Sequence, residues 1–123
     1  FLTGEPSSQA NAVRKLFTRA QAGELVLEIV PMVVSEAYYT LTSLYRLDRK
    51  LAAEQISQLL KQSGVALREP NLLESTLTRL QKHAIDFADA YLASVSEEEE
   101  ITVASFDRDF DKIKGISRYE PTP

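Results

Sequence analysis

Residues 84–110 read AIDFADAYLASVSEEEEITVASFDRDF, and the fold turns on how this stretch is read. Asp86 and Asp89 stand where a helix begins. Phe87, Ala88, Ala90, Tyr91, Leu92, Ala93 and Val95 supply its apolar and small positions, and the glutamates 97 to 100 end it. Ile101 to Ser105 is β-branched enough for a short buried strand, and Asp107, Asp109 and Asp111 follow at once. A helix of about 12 residues is ~18 Å long, and a strand of about 5 residues spans ~17 Å. A tight turn between arms of matched length brings the helix start back beside the strand end. Asp89 is therefore expected to approach Asp107, at the C-terminal end of a strand, where α/β proteins keep their chemistry.

Working outward, the upstream chain alternates helices and strands. Pro6 and Ser7 or Ser8 open a helix whose buried face is expected to be Ala12, Val13, Leu16, Phe17 and Ala20, with Gly23 closing it. Leu25 to Val30 reads as a strand, and Pro31 opens an apolar helix from Met32 to about Arg46. Asp48 caps a third helix that Gly64 stops, Val65 to Leu67 is a brief strand, and Pro70–Asn71 start a fourth helix running to about His83. Downstream of the hairpin, Gly115 leads into a last edge strand over 116–119. This order predicts an α/β fold, a three-layer α/β/α sandwich with a mostly parallel central sheet, built as a single domain over residues 1–123. The first helix has no strand before it, although a right-handed β-α-β unit wants one there. The first strand is thus expected to be missing from this chain.

Composition narrows the chemistry. A chain of 123 residues with 44% hydrophobic content supports one ordinary core. No apolar run reaches a membrane span, no signal peptide is visible, and the expected location is the cytoplasm. With no cysteine and one histidine, Cys–zinc sites, disulfide scaffolds and His-based triads are excluded or left little room. A net charge of -4 argues against a broad basic nucleic-acid surface. It permits nucleic acid held through metal ions, whose ligands are themselves acidic.

Carboxylates are therefore the candidates. Glu36 is the only acid of the second helix, with Met32, Val33, Thr40 and Leu44 as neighbours at helical spacing. A carboxylate in that setting is expected to need a partner or a metal, because burying it alone is costly. The topology points Glu36, Asp89 and Asp107 toward one end of the sheet, and a cluster of unpaired carboxylates calls for a hard cation, Mg²⁺ or Mn²⁺. Such ions suit phosphodiester hydrolysis. Each acid alone also has a plainer reading. Asp86 and Asp89 sit at N-cap and N3 spacing, Asp107 to Asp111 suits a solvated turn, and Glu97 to Glu100 a solvated helix end.

Three motifs in order, Pro31-x-x-x-Ser35-Glu36, Asp86-Phe87-Ala88-Asp89-Ala90 and Ser105-Phe106-Asp107-Arg108-Asp109-Phe110, together resemble the PIN domain and, within it, the VapC-type toxins of bacterial toxin–antitoxin pairs. Phe1 to Gly4 resembles the segment just after that family's first strand. The resemblance implies a Mg²⁺- or Mn²⁺-dependent ribonuclease. Glu36, Asp89 and Asp107 would be its metal-holding acids, with Asp109 as a further candidate ligand and Ser105 positioning metal or water. Arg108 would meet the substrate phosphate. It also implies an RNA substrate, a homodimer and a small antitoxin over the acidic groove. The family's first acid lies on the strand expected upstream of Phe1, so activity is expected to depend on that strand. The rival readings are a non-catalytic binding module whose acids are caps and whose ligand is a basic peptide, and another Mg²⁺ phosphohydrolase or DNA-directed flap-type nuclease of related fold.

Overall fold

The computed structural model describes residues 7–123; the stretch from Phe1 to Gly4 lies outside them. Ser7 starts α1 (Ser8–Gln21) by accepting the amide of Ala10 on its hydroxyl at 3.0 Å. The chain continues through β1 (Leu27–Ile29), α2 (Pro31–Tyr39), a π-helical turn (Thr40–Leu44), α3 (Arg49–Leu60), β2 (Val65–Leu67) and α4 (Pro70–Lys82). It ends with α5 (Phe87–Glu99), β3 (Val103–Ala104), a 3₁₀ turn (Arg108–Lys112) and β4 (Arg118–Tyr119). This is the alternation expected of an α/β fold, and every strand pairing among the described residues is parallel. β1 pairs β2 in the register Leu27–Val65 and Ile29–Leu67, and β3 pairs β4 with Val103 opposite Arg118. The sheet takes the form of these two separate parallel pairs.

The core lies between α2, α3, α4 and α5. Leu73, Leu77 and Leu80 of α4 face Ala90 and Ala93 of α5 and Ala52, Ala53 and Ile56 of α3. The alanines let the helix backbones approach closely, and two buried hydroxyls tie the α4–α5 seam. Across it Thr76 Oγ1 lies 3.4 Å from Ser94 Oγ and Arg79 Nε donates to Ser94 Oγ at 3.2 Å, while Thr76 and Ser94 each donate within their own helix, to the Leu72 carbonyl at 2.6 Å and the Ala90 carbonyl at 2.9 Å. Arg79 also pairs with Glu97 at 3.0 Å. The acidic run at the end of α5 is otherwise exposed, as a solvated helix end requires. Among the described residues no helix is long and apolar enough to cross a membrane.

Two expectations about helix faces change. On α1 only Ala20 of the expected face is buried; Val13 and Phe17 are half-buried, and Ala12 and Leu16 are exposed. The described neighbours meet α1 at its C-terminal end, where Ala20 lies against Gly64. On α2 the apolar run is not an inward face. Met32 is 78% exposed and Leu44 72%, with Val33 and Tyr39 exposed beside them. Glu36 sits among these residues, hydrated rather than buried, so the burial cost argued from its apolar neighbours does not arise. Val34, Tyr38 and Leu41 supply the inward face instead.

Candidate functional site

Asp86 stops the chain from entering α5 one residue early. It holds an extended backbone (φ -83°, ψ 174°), and its carboxylate accepts the amide of Asp89 at 3.0 Å, satisfying one of the orphan donors of a helix start. That cap fixes Asp89 in the first turn, half-buried. On the other arm, Ser105 leaves β3 with its amide on the Tyr119 carbonyl at 3.0 Å. Its hydroxyl accepts the amide of Asp107 at 3.0 Å. Asp107 in turn accepts the amide of Asp109 at 2.9 Å and so caps the 3₁₀ turn. Two consecutive side-chain-to-backbone bonds thus set the position of Asp107.

The two arms meet electrostatically. Burial pushes the Asp89 carboxyl above its ordinary value of 3.8, and the negative charges of Asp86, Asp107 and Asp109 and a hydrogen bond with Asp86 push it further the same way. The matched hairpin therefore does bring Asp89 into the field of Asp107. Glu36, on the exposed side of α2, is not among the charges that act on Asp89. Among the described residues no three acidic or imidazole groups stand together as one chelating set.

Some of the acids are already committed elsewhere. Asp109 pairs with Lys112 at 3.2 Å, and Asp111 is taken by Arg118 in a two-pronged bond of 2.9 and 3.0 Å. Arg118 holds the Asp111 carboxyl below the ordinary carboxylate range. Asp89 and Asp107 remain without a cationic partner among the described residues.

Arg118 is the residue that the sequence reading overlooked. Its side chain is only 12% exposed, and besides Asp111 its guanidinium donates to the Ser105 carbonyl at 3.0 Å and to Glu120 at 3.2 Å. It clamps the acid-bearing loop to β4. The available clue was its strand position opposite Val103, but a basic residue near a chain end reads as surface. Arg118→Met is expected to lower the denaturant midpoint and to speed amide hydrogen exchange at Asp107 and Asp109, with α4 unaffected. Unchanged exchange at those two amides would show that the clamp does not order the loop. Asp111 stability is present above pH 3.8 and lost as pH falls through its lowered native value; in Arg118→Met this acid-side loss should shrink.

The donor set fits a hard divalent cation in kind. Asp89 and Asp107 offer carboxylate oxygens in a region of uncompensated negative charge, and Mg²⁺ is commonly held by one or two carboxylates with waters and substrate phosphates filling the rest. A sequence model of the PIN domain matches residues 1–116. No curated protein and no solved structure matches the chain.

Proposed function

The chain belongs to the PIN domain family, whose members are in general metal-dependent nucleases, and on that premise we propose that it is an endoribonuclease acting as the toxin of a toxin–antitoxin pair in the cytoplasm. The observation that carries this reading is the match of the PIN model to residues 1–116, supported by Asp89 and Asp107, which have no cationic partner among the described residues and of which Asp107 acts on Asp89. The cation it calls for is Mg²⁺ or Mn²⁺. Asp89 and Asp107 would hold it, with Asp109 beside them and Glu36 joining from α2. When bound, such an ion polarises a phosphoryl oxygen and makes water a nucleophile at neutral pH.

The protein's own part is positional. Ser105 fixes Asp107 by accepting its amide, and its hydroxyl proton stays available to a water or a phosphate oxygen. Arg108, exposed at the first residue of the 3₁₀ turn, is placed to meet the substrate phosphate. The exposed apolar residues of α2 and its π-helical turn, Met32, Val33, Tyr39 and Leu44, suit a partner surface, in line with a homodimer and an antitoxin.

The test is cleavage of an end-labelled single-stranded RNA with Mn²⁺, with Mg²⁺ and with EDTA, by the wild type and by Asp107→Asn. Metal-dependent cleavage, reduced about a hundredfold or more in the variant, is the expected result, since even residues behind a metal ligand are worth 10–100-fold. Cleavage of DNA in preference to RNA would redirect the reading to a related nuclease. No cleavage of either, with no metal response in the melting temperature, would favour the binding module.

A further inference from the structure

Chemistry-bearing side chains also gather away from Asp89 and Asp107. A cavity of about 360 Å³ opens where α2 and its π-helical turn meet the first residues of α3 and α5. Ser35, Tyr38, Ser43, Arg49 and Asp86 stand in its wall. Its volume falls in the range of small-molecule sites, and Arg49, Ser43 and the Tyr38 hydroxyl have no role assigned above.

Three observations point to a ligand. Tyr38 is 4% exposed, and its buried hydroxyl has no hydrogen-bond partner. Leaving such a group unmet is costly, and a bound oxygen would relieve it. Arg49, at the first residue of α3, is exposed and makes no ion pair among the described residues, yet it is near enough to act on the Tyr38 hydroxyl. The cavity also adjoins the acids, because Asp86 lines it while its carboxylate accepts the Asp89 amide at 3.0 Å. A second, more apolar hollow of about 310 Å³, reaching Met32 and Tyr91, shares Ser35, Phe87 and Ala88 with it. The two form one groove along the α2–α5 seam.

A guanidinium for an anion, hydroxyls and a carboxylate for a sugar, and an exposed ring at Tyr39 (66% exposed) on which a base can stack together describe one kind of ligand. We propose that this cavity seats one nucleotide of the RNA strand beside the cleaved bond, with Arg49 on its phosphate and the Tyr38 hydroxyl on its ribose. The inference rests on the nuclease reading above and names how that site selects its substrate. A protein tells RNA from DNA at a given position through the 2′-hydroxyl, and Tyr38 with Asp86 offers it a donor and an acceptor.

The experiment is fluorescence anisotropy with a 5′-fluorescein octauridylate and its deoxy counterpart, in EDTA so that metal bridging does not contribute. The proteins are the wild type, Arg49→Met and Tyr38→Phe. Arg49→Met is expected to weaken both oligonucleotides about tenfold, the scale of one bond to a charged group. Tyr38→Phe should weaken RNA alone, down to the DNA affinity, while melting at the same or a higher temperature because the orphan hydroxyl is gone. Wild-type affinity in Arg49→Met, an unchanged RNA-to-DNA ratio in Tyr38→Phe, or no binding by the wild type would each overturn the proposal. Metal-dependent cleavage by the wild type alongside unchanged binding by Arg49→Met sinks only this nucleotide seat. RNA held through Arg49 but never cleaved with Mn²⁺ sinks the nuclease reading and leaves the seat standing.

Discussion

Asp89→Asn is expected to raise the melting temperature of the metal-free protein at neutral pH, to remove most of the stabilisation that Mn²⁺ gives the wild type, and to reduce RNA cleavage by at least about a hundredfold. Two effects compete in the metal-free protein. The native carboxylate favours the start of α5 through the helix dipole, worth about 0.3–1 kcal/mol. Against it stand partial burial and three neighbouring acids, all of which disfavour the charge. Burial and the neighbouring acids hold the carboxyl above its ordinary value, so removing the charge is expected to give a small net gain, small because the site is partly exposed to solvent. The sign fixes the pH dependence. Below pH 3.8 the carboxyl is protonated in both the folded and the unfolded chain, and the substitution should be neutral with respect to this term. As pH rises through the elevated native value, ionisation begins to cost the folded state, and the advantage of asparagine should appear and then level off. Thermal melts from acid to neutral pH, with and without Mn²⁺, check all of this. A variant less stable than the wild type at every pH, with its metal response intact, would make Asp89 a helix-start residue and nothing more.

Gly64→Ala is expected to be the most damaging single methyl in the molecule. Gly64 sits at φ +86°, and a Cβ there would lie 2.3 Å from the Ala20 carbonyl oxygen and 2.5 Å from its carbon. Both are backbone atoms of α1, so no side chain can swing away. The left-handed conformation costs an L residue about 1–2 kcal/mol, and forcing α1 off its seat adds about 1–3 kcal/mol of overpacking. A loss of roughly 3 kcal/mol or more is expected in urea denaturation. Gly23→Ala separates the two causes, because Gly23 has φ +81° and nothing within 4 Å of the added carbon. It should cost only the conformational part, about 1–2 kcal/mol. Equal losses at the two positions would show that α1 gives way without resistance.

Much of the fold was legible because its punctuation is chemical. Asp48 and Asp86 each accept an amide three residues on, as their positions before apolar runs implied. Pro31 and Pro70 open α2 and α4, and Val65 to Leu67 is a strand as read. Strand ends were less legible: Leu25–Val30 contracts to Leu27–Ile29, and Ile101–Ser105 to Val103–Ala104. Apolar character shows what a segment could bury, whereas pairing is decided by a partner far along the chain. The same limit explains α2. A run rich in Met, Val, Leu and Tyr says nothing about which side meets the core, and here it presents Met32 and Leu44 to solvent together with Glu36. The π-helical turn over Thr40–Leu44 was also hidden, since one extra residue per turn leaves no mark in the pattern of side chains. Of the site, the approach of Asp89 to Asp107 was expected from arm lengths, whereas Ser105 was singled out only by the resemblance of its motif. Arg118, Arg49 and Tyr38 could not be singled out, because their significance lies in neighbours that only the folded chain supplies.

The Arg118 clamp has a consequence for proteolysis. It is the only side chain among the described residues that joins Ser105, Asp111 and Glu120, and it stands five residues before the last residue of the sequence. A protease that nicks after Gly115, an exposed position at φ +86°, would release β4 and the guanidinium in one cut while leaving the α2–α5 core whole. The acid-bearing loop would then lose the bonds of Arg118 to Ser105 and Asp111.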